Sequence, residues 1–152
     1  MAVVFLTALS FARATPPRGA GLVAELLLRY ICLLPVGLMG LWAALGHMVF
    51  PARSAASIGW ATSPFQTEVG AANLGIGLAG LMGAFYPNRG LRLAVAVTAG
   101  FLGGAAVTHL VEIARTGNFA AGNAGPIPYT DVLTPLLLPI LLALTYRSGR
   151  AA

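Results

Sequence analysis

Polar residues are so sparse along this chain that the apolar runs between them set its architecture. Four runs are long enough, or nearly so, to cross a bilayer as helices of about 20 residues. They cover residues 30–50, 65–86, 91–113 and 130–146. The first is interrupted only by Pro35 and several glycines, the third is the cleanest, and the fourth is short and carries Pro135 and Pro139. Proline is tolerated in such helices because neighbouring groups satisfy the carbonyls it frees. Residues 1–12 form a further apolar stretch that ends at the Pro16-Pro17 break. Ala12-Arg13-Ala14 resembles a cleavage site, but the stretch lacks a basic start, and a short N-terminal helix is the preferred reading. The expected fold is all-α: one integral membrane helical bundle spanning residues 1–152, with four transmembrane helices and a candidate short fifth.

Small residues recur at four-residue spacing, as Gly75, Ala79 and Gly83 and as Gly100 and Gly104. Such rows let helix backbones approach closely in lipid. Within this pattern Asn73 sits deep in the second run and is expected to bond across helices.

Composition sharpens the class. Hydrophobic residues make up 58% of the chain and charged ones 9%, against about 25% charged in a soluble domain. A soluble globular enzyme, a disordered chain and a disulfide scaffold are thereby excluded. The formal charge is +5, but all nine basic residues are arginines at the ends of apolar runs, with no basic stripe for nucleic acid. Arg13, Arg18, Arg29, Arg89, Arg92, Arg147 and Arg150 fall on one side of the predicted crossings, and only Arg53 and Arg115 on the other. Positive residues stay inside, so the C-terminus is expected in the cytoplasm and the 51–64 and 116–129 connections outside. Helical spans place the chain in an inner (plasma) membrane, since outer membranes hold barrels. The single Cys32 lies within an apolar run and reads as a buried small hydrophobe.

The scarce polar groups gather at the outer end. His47 closes the first span, Glu68 opens the second, His109 and Glu112 close the third, and Asp131 opens the fourth. His109 and Glu112 share a helix face at i,i+3 spacing, the way helix bundles present two metal ligands together. With His47 and Glu68 they would give two nitrogens and two carboxylates, a set suited to Zn, Fe or Mn. The same groups could handle protons, or form a structural network tying helix ends together, the plainest of the three readings. Glu25 and Arg29, at the opposite end, need only an i,i+4 ion pair.

Both outer connections are organised. Ser63, Pro64 and Gln66 read as an N-cap, first helical position and capping box, and Trp60 as an interface anchor. The 116–129 connection is rich in turn formers, including Asn118 and Asn123, and is expected to lack secondary structure and to cover the His109–Glu112 end.

These residues carry a resemblance. Ile58-Gly59-Trp60-x-x-Ser63-Pro64-Phe65-Gln66-x-Glu68-Val69-Gly70, followed by Ala72-Asn73-Leu74, resembles the signature of a prokaryotic family of small multi-pass membrane proteins of unknown function. Gly46-His47 and Asn118-Phe119-x-x-Gly122-Asn123-x-Gly125 are similar to that family's other marked segments. The resemblance covers roughly residues 22–146 and implies a multi-pass helical fold, without an activity, cofactor or catalytic residue.

Phosphate-cradling loops, nucleophile elbows, paired-cysteine motifs and dinucleotide fingerprints are absent from the sequence. The expectation leans against an enzyme, toward a non-catalytic or accessory membrane subunit with a polar cluster at its outer face. Its partners would be the lipid bilayer and either further copies of itself or a larger membrane complex. A membrane metal-binding protein or enzyme and a proton or small-ion pathway are the alternatives.

Overall fold

The computed structural model describes residues 1–148, so Arg150 of the arginine pattern lies outside the described residues. All regular structure among them is helical: α1 (Ala2–Arg13), α2 (Ala20–Ile31), a π-helical segment (Cys32–Leu38), α3 (Met39–Val49), α4 (Pro51–Ile58), α5 (Phe65–Phe85), α6 (Pro87–Thr116), α7 (Ala121–Ala124) and α8 (Pro126–Arg147). Four helical stretches are long and apolar enough to cross a membrane: Ala20–Val49, Phe65–Phe85, Arg89–Thr116 and Ala121–Arg147. Helix starts fall where proline occupies the first turn, in α4, α6 and α8. Gly59 and Gly117 close α4 and α6 in the left-handed region, at φ 81° and 67°.

The first crossing begins about ten residues earlier than its apolar run suggests. Glu25 and Arg29 pair at 3.9 Å one turn apart, and Arg29 Nε donates to the Ala84 carbonyl at 3.1 Å. With these charges matched, the helix continues through them. The helix α1, at 12 residues, measures about 18 Å, short of a hydrocarbon core of about 30 Å. It packs on α2, where Ser10 Oγ and Tyr30 Oη share a 2.6 Å hydrogen bond.

Within the bundle, α2 packs on α8, α6 on α8 and α5 on α6, around a core that includes Leu28, Cys32, Leu91, Ala94 and Leu138. The rod changes partners midway. Pro35 lies in the π-helical segment and lacks the N–H that an α-helical ladder needs there, and the widened turns accommodate the break. Beyond it, α3 packs chiefly on α5 rather than continuing along α8.

Glycines decide how close that crossing is. A Cβ on Gly40 would lie 2.9 Å from Gly77 Cα, and one on Gly80 would lie 2.6 Å from the Gly37 nitrogen. The two backbones touch, as small residues permit in lipid. This close approach does not use all the positions expected for it. Gly83 packs against Ala94 and Cys32, whereas Gly75, Gly100 and Gly104 face open space. Leu133, Leu136, Ile140 and Leu144 on α8, and Leu78, Met82 and Phe85 on α5, point outward, an apolar surface suited to acyl chains rather than water.

Because α3 departs toward α5, a cleft separates α3 and α5 from α6 and α8 in the half of the bundle that carries both histidines.

Candidate functional site

The cleft has a volume of about 850 Å³. Its walls are mainly apolar and aromatic, including Met39, Trp42, Phe65, Ile76 and Phe101. Its ionisable and aromatic-polar groups gather at one end, where His47 with Gln66 and Trp60 with His109 and Asp131 border it, while Asn73 and Thr98 lie farther along.

On the α3–α5 wall, His47 Nδ1 donates to Gln66 Oε1 at 2.7 Å. Gln66 is only 2% exposed, so this bond satisfies an amide that would otherwise be costly to bury. It also leaves Nε2 of a neutral His47 as a hydrogen-bond acceptor.

On the α6–α8 wall a relay of fixed polarity holds the second imidazole. Asn118 Nδ2 donates to the Ile58 carbonyl at 2.9 Å, and Asn118 Oδ1 accepts from the Ala120 N–H at 3.0 Å. Asn123 Nδ2 donates to the Asn118 carbonyl at 2.7 Å, which turns its Oδ1 toward His109 Nδ1, also at 2.7 Å. His109 Nδ1 therefore donates, and its Nε2 faces Asp131 Oδ2 at 3.8 Å. With Nδ1 committed as a donor, Nε2 and the Asp131 carboxyl are the hydrogen-bonding groups left at this end of the cleft. The Trp60 ring stacks near His109, with centroids 6.0 Å apart and planes 19° from parallel. Asn123 is fully buried, and Asp131 and His109 nearly so.

Two glycines make the relay possible. A Cβ on Gly59 would sit 2.6 Å from Asn118 Oδ1, and one on Gly122 would sit 2.7 Å from the Ser57 carbonyl. The two outer connections thus clamp backbone to backbone, and Asn118 reaches Ile58 across the join.

A family model matches this sequence over residues 1–151. The chain belongs to DUF6790, a family of unknown function. No curated protein and no solved structure matches it.

The structure separates the expected site residues of this DUF6790 chain into two groups. His47, Trp60, Gln66, Asn73, His109 and Asp131 border one cleft, with Asn118 and Asn123 behind it. Glu68 is exposed, and Glu112 accepts from Thr116 Oγ1 at 3.3 Å on its own helix. Residues three apart on a helix lie about 60° apart around its axis, and here Asp131, rather than Glu112, faces His109. The quartet His47, Glu68, His109 and Glu112 does not converge as metal ligands. Among the described residues, no group of three or more His, Cys, Asp or Glu side chains is placed to hold a metal ion.

Other expectations change in detail. No side-chain cap starts α5; Pro64 precedes its first residue, Ser63 is exposed, and Gln66 serves His47 instead of a capping box. Asn73 Nδ2 donates to the Val69 carbonyl of its own helix at 2.9 Å rather than across to another. Trp60 stacks on an imidazole, and the 116–129 connection contains α7 and the start of α8.

Thr98 went unnoticed in the sequence. It borders the cleft, is 1% exposed, and its hydroxyl has no hydrogen-bond partner. A lone threonine in a helical apolar run ordinarily bonds back to its own turn, which hides such a position from sequence reading.

Proposed function

We propose that this protein is a non-catalytic membrane protein that binds a bilayer-dissolved amphiphile in the cleft between α3–α5 and α6–α8. The observation that carries the reading is the cleft itself: about 850 Å³, apolar and aromatic along its length, polar at one end. Small-molecule sites typically measure about 300–1,000 Å³, with a few convergent polar groups among apolar walls. Exposed Met39 and Trp42 on one edge and Gly100 and Gly104 on the other leave the cleft accessible from the side, the direction from which a lipid-soluble molecule arrives.

The arginine distribution supports a cytoplasmic C-terminus in an inner membrane, with the polar end of the cleft at the opposite face. The partner this reading requires is the bilayer. A proton pathway finds less support, because the core at the other end is built from Leu28, Cys32, Leu91 and Leu138.

Fluorescence tests the proposal. The chain has two tryptophans, and both border the cleft. In lipid nanodiscs, bromine-labelled amphiphiles with neutral, anionic and cationic heads are titrated against a Trp42→Phe variant, leaving Trp60 as reporter. Saturable quenching by at least one probe at low mole fraction, abolished by Gly104→Leu, is the expected result. Quenching that only follows total bromolipid and ignores Gly104→Leu overturns the reading.

A further inference from the structure

The polar end of the cleft has a definite chemical character. Its ionisable groups among the described residues are His47, His109 and Asp131, and no described arginine borders it. The one carboxyl, on Asp131, already faces the His109 imidazole, and His47 is already bonded to Gln66. An anionic head would meet a carboxylate without a basic counter-charge, and a cationic head would meet two imidazoles and a carboxylate already matched. Moving either charge out of water would go uncompensated.

Hydrogen-bond polarity narrows the choice further. Gln66 commits His47 Nδ1, so Nε2 of the neutral ring accepts. Asn123 commits His109 Nδ1, so the remaining capacity lies between His109 Nε2 and Asp131 Oδ2. Their 3.8 Å separation is too long for a good direct hydrogen bond, yet a single oxygen beside the gap can sit about 2.8 Å from both. A hydroxyl suits that place, donating to one partner and accepting from the other. Trp60 and Phe65 add ring faces beside these groups.

We propose that the cleft selects a neutral amphiphile whose head carries hydroxyl groups, with His47 Nε2 and the His109–Asp131 pair as their partners. The proposal rests on the amphiphile-binding role and specifies its ligand. Two sources share this chemistry: an aromatic diol on an apolar tail, as in a quinol, and an aliphatic diol on an acyl chain, as in a monoglyceride.

Binding to the full chain in nanodiscs, measured by isothermal titration, tests it with five probes. These are decylhydroquinone kept reduced, its dimethyl ether, monodecanoylglycerol, decanoate and decyltrimethylammonium. At least one diol is expected to bind at least tenfold more tightly than the ether and both charged probes, and whichever diol does so identifies the source. His47→Phe, or Asp131→Asn if the former does not fold, should reduce that preference to less than threefold. Gly104→Leu should remove binding altogether. Equal affinity for diol and ether, or tighter binding of a charged probe, overturns the hydroxyl proposal and leaves the amphiphile site standing. Saturable binding of none of the five overturns both.

Discussion

His109 and Asp131 face each other across 3.8 Å, from α6 and α8, in the polar end of a cleft that otherwise presents apolar side chains. The orientation of the imidazole is set from behind, by Asn123, and Asn123 is in turn held by the Asn118 carbonyl. The two asparagines therefore determine which nitrogen meets the carboxylate. The pair is a consequence of the loop fold as much as of the helices.

That dependence makes Asn123 a sensitive position. Asn123→Leu leaves His109 Nδ1 and the Asn118 carbonyl without partners, at a cost of about 1–3 kcal/mol for each buried group left unsatisfied. A lower thermal midpoint in detergent is expected. Glu68→Gln and Glu112→Gln, on side chains outside the cleft, should stay within about 0.5 kcal/mol of the parent. A large loss from either glutamate change would restore the metal-ligand reading.

Glycine substitutions should divide by location. Gly122→Ala drives a methyl group to 2.7 Å from the Ser57 carbonyl, and Gly59→Ala strains a left-handed backbone while meeting Asn118. Each should destabilise by about 1–3 kcal/mol. Gly100→Ala and Gly104→Ala face open space and should be neutral or stabilising by up to about 1 kcal/mol, as alanine favours helix. Thermal denaturation of the four variants side by side checks the contrast.

Thr98→Val replaces an unpartnered buried hydroxyl with a group of similar shape. The apo protein should be unchanged or stabilised by about 1 kcal/mol. Destabilisation beyond that, in differential scanning fluorimetry, would show that the Thr98 hydroxyl has a partner within the fold.

Cys32 is fully buried in the core between helices. The intact protein should resist maleimide labelling and become reactive only on denaturation. Cysteines introduced at Phe119 and Ser148 should react with an impermeant maleimide from opposite sides of oriented vesicles, Phe119 from outside. Labelling of both from one face would contradict the arginine-derived topology.

Much of the frame was legible because bilayer thickness and backbone satisfaction leave few options. Apolar runs fell on the four helical stretches long and apolar enough to cross a membrane, but missed the early start of the first, where Glu25 and Arg29 neutralise each other, and that of the fourth, which begins before residue 130. The gathering of both histidines and Asp131 at one end followed from counting crossings. Their partners did not. Helical spacing makes Glu112 look like the companion of His109, yet which neighbour a side chain meets depends on how α8 is placed, and that is set by Gly122 and Asn118 through contacts distant in sequence. Gln66 fits a capping box equally well on paper, and only the closeness of α3 to α5 brings it to His47. The cleft itself was invisible, since it arises where Pro35 redirects a helix and where Gly100 and Gly104 leave space unfilled.

Native mass spectrometry of protein released gently from its own membranes tests the binding account most directly. The parent chain should carry a non-covalent, lipid-soluble adduct of defined mass that is lost in an equally stable Gly104→Leu variant. A parent chain that flies bare, or an adduct that persists in Gly104→Leu, would contradict it.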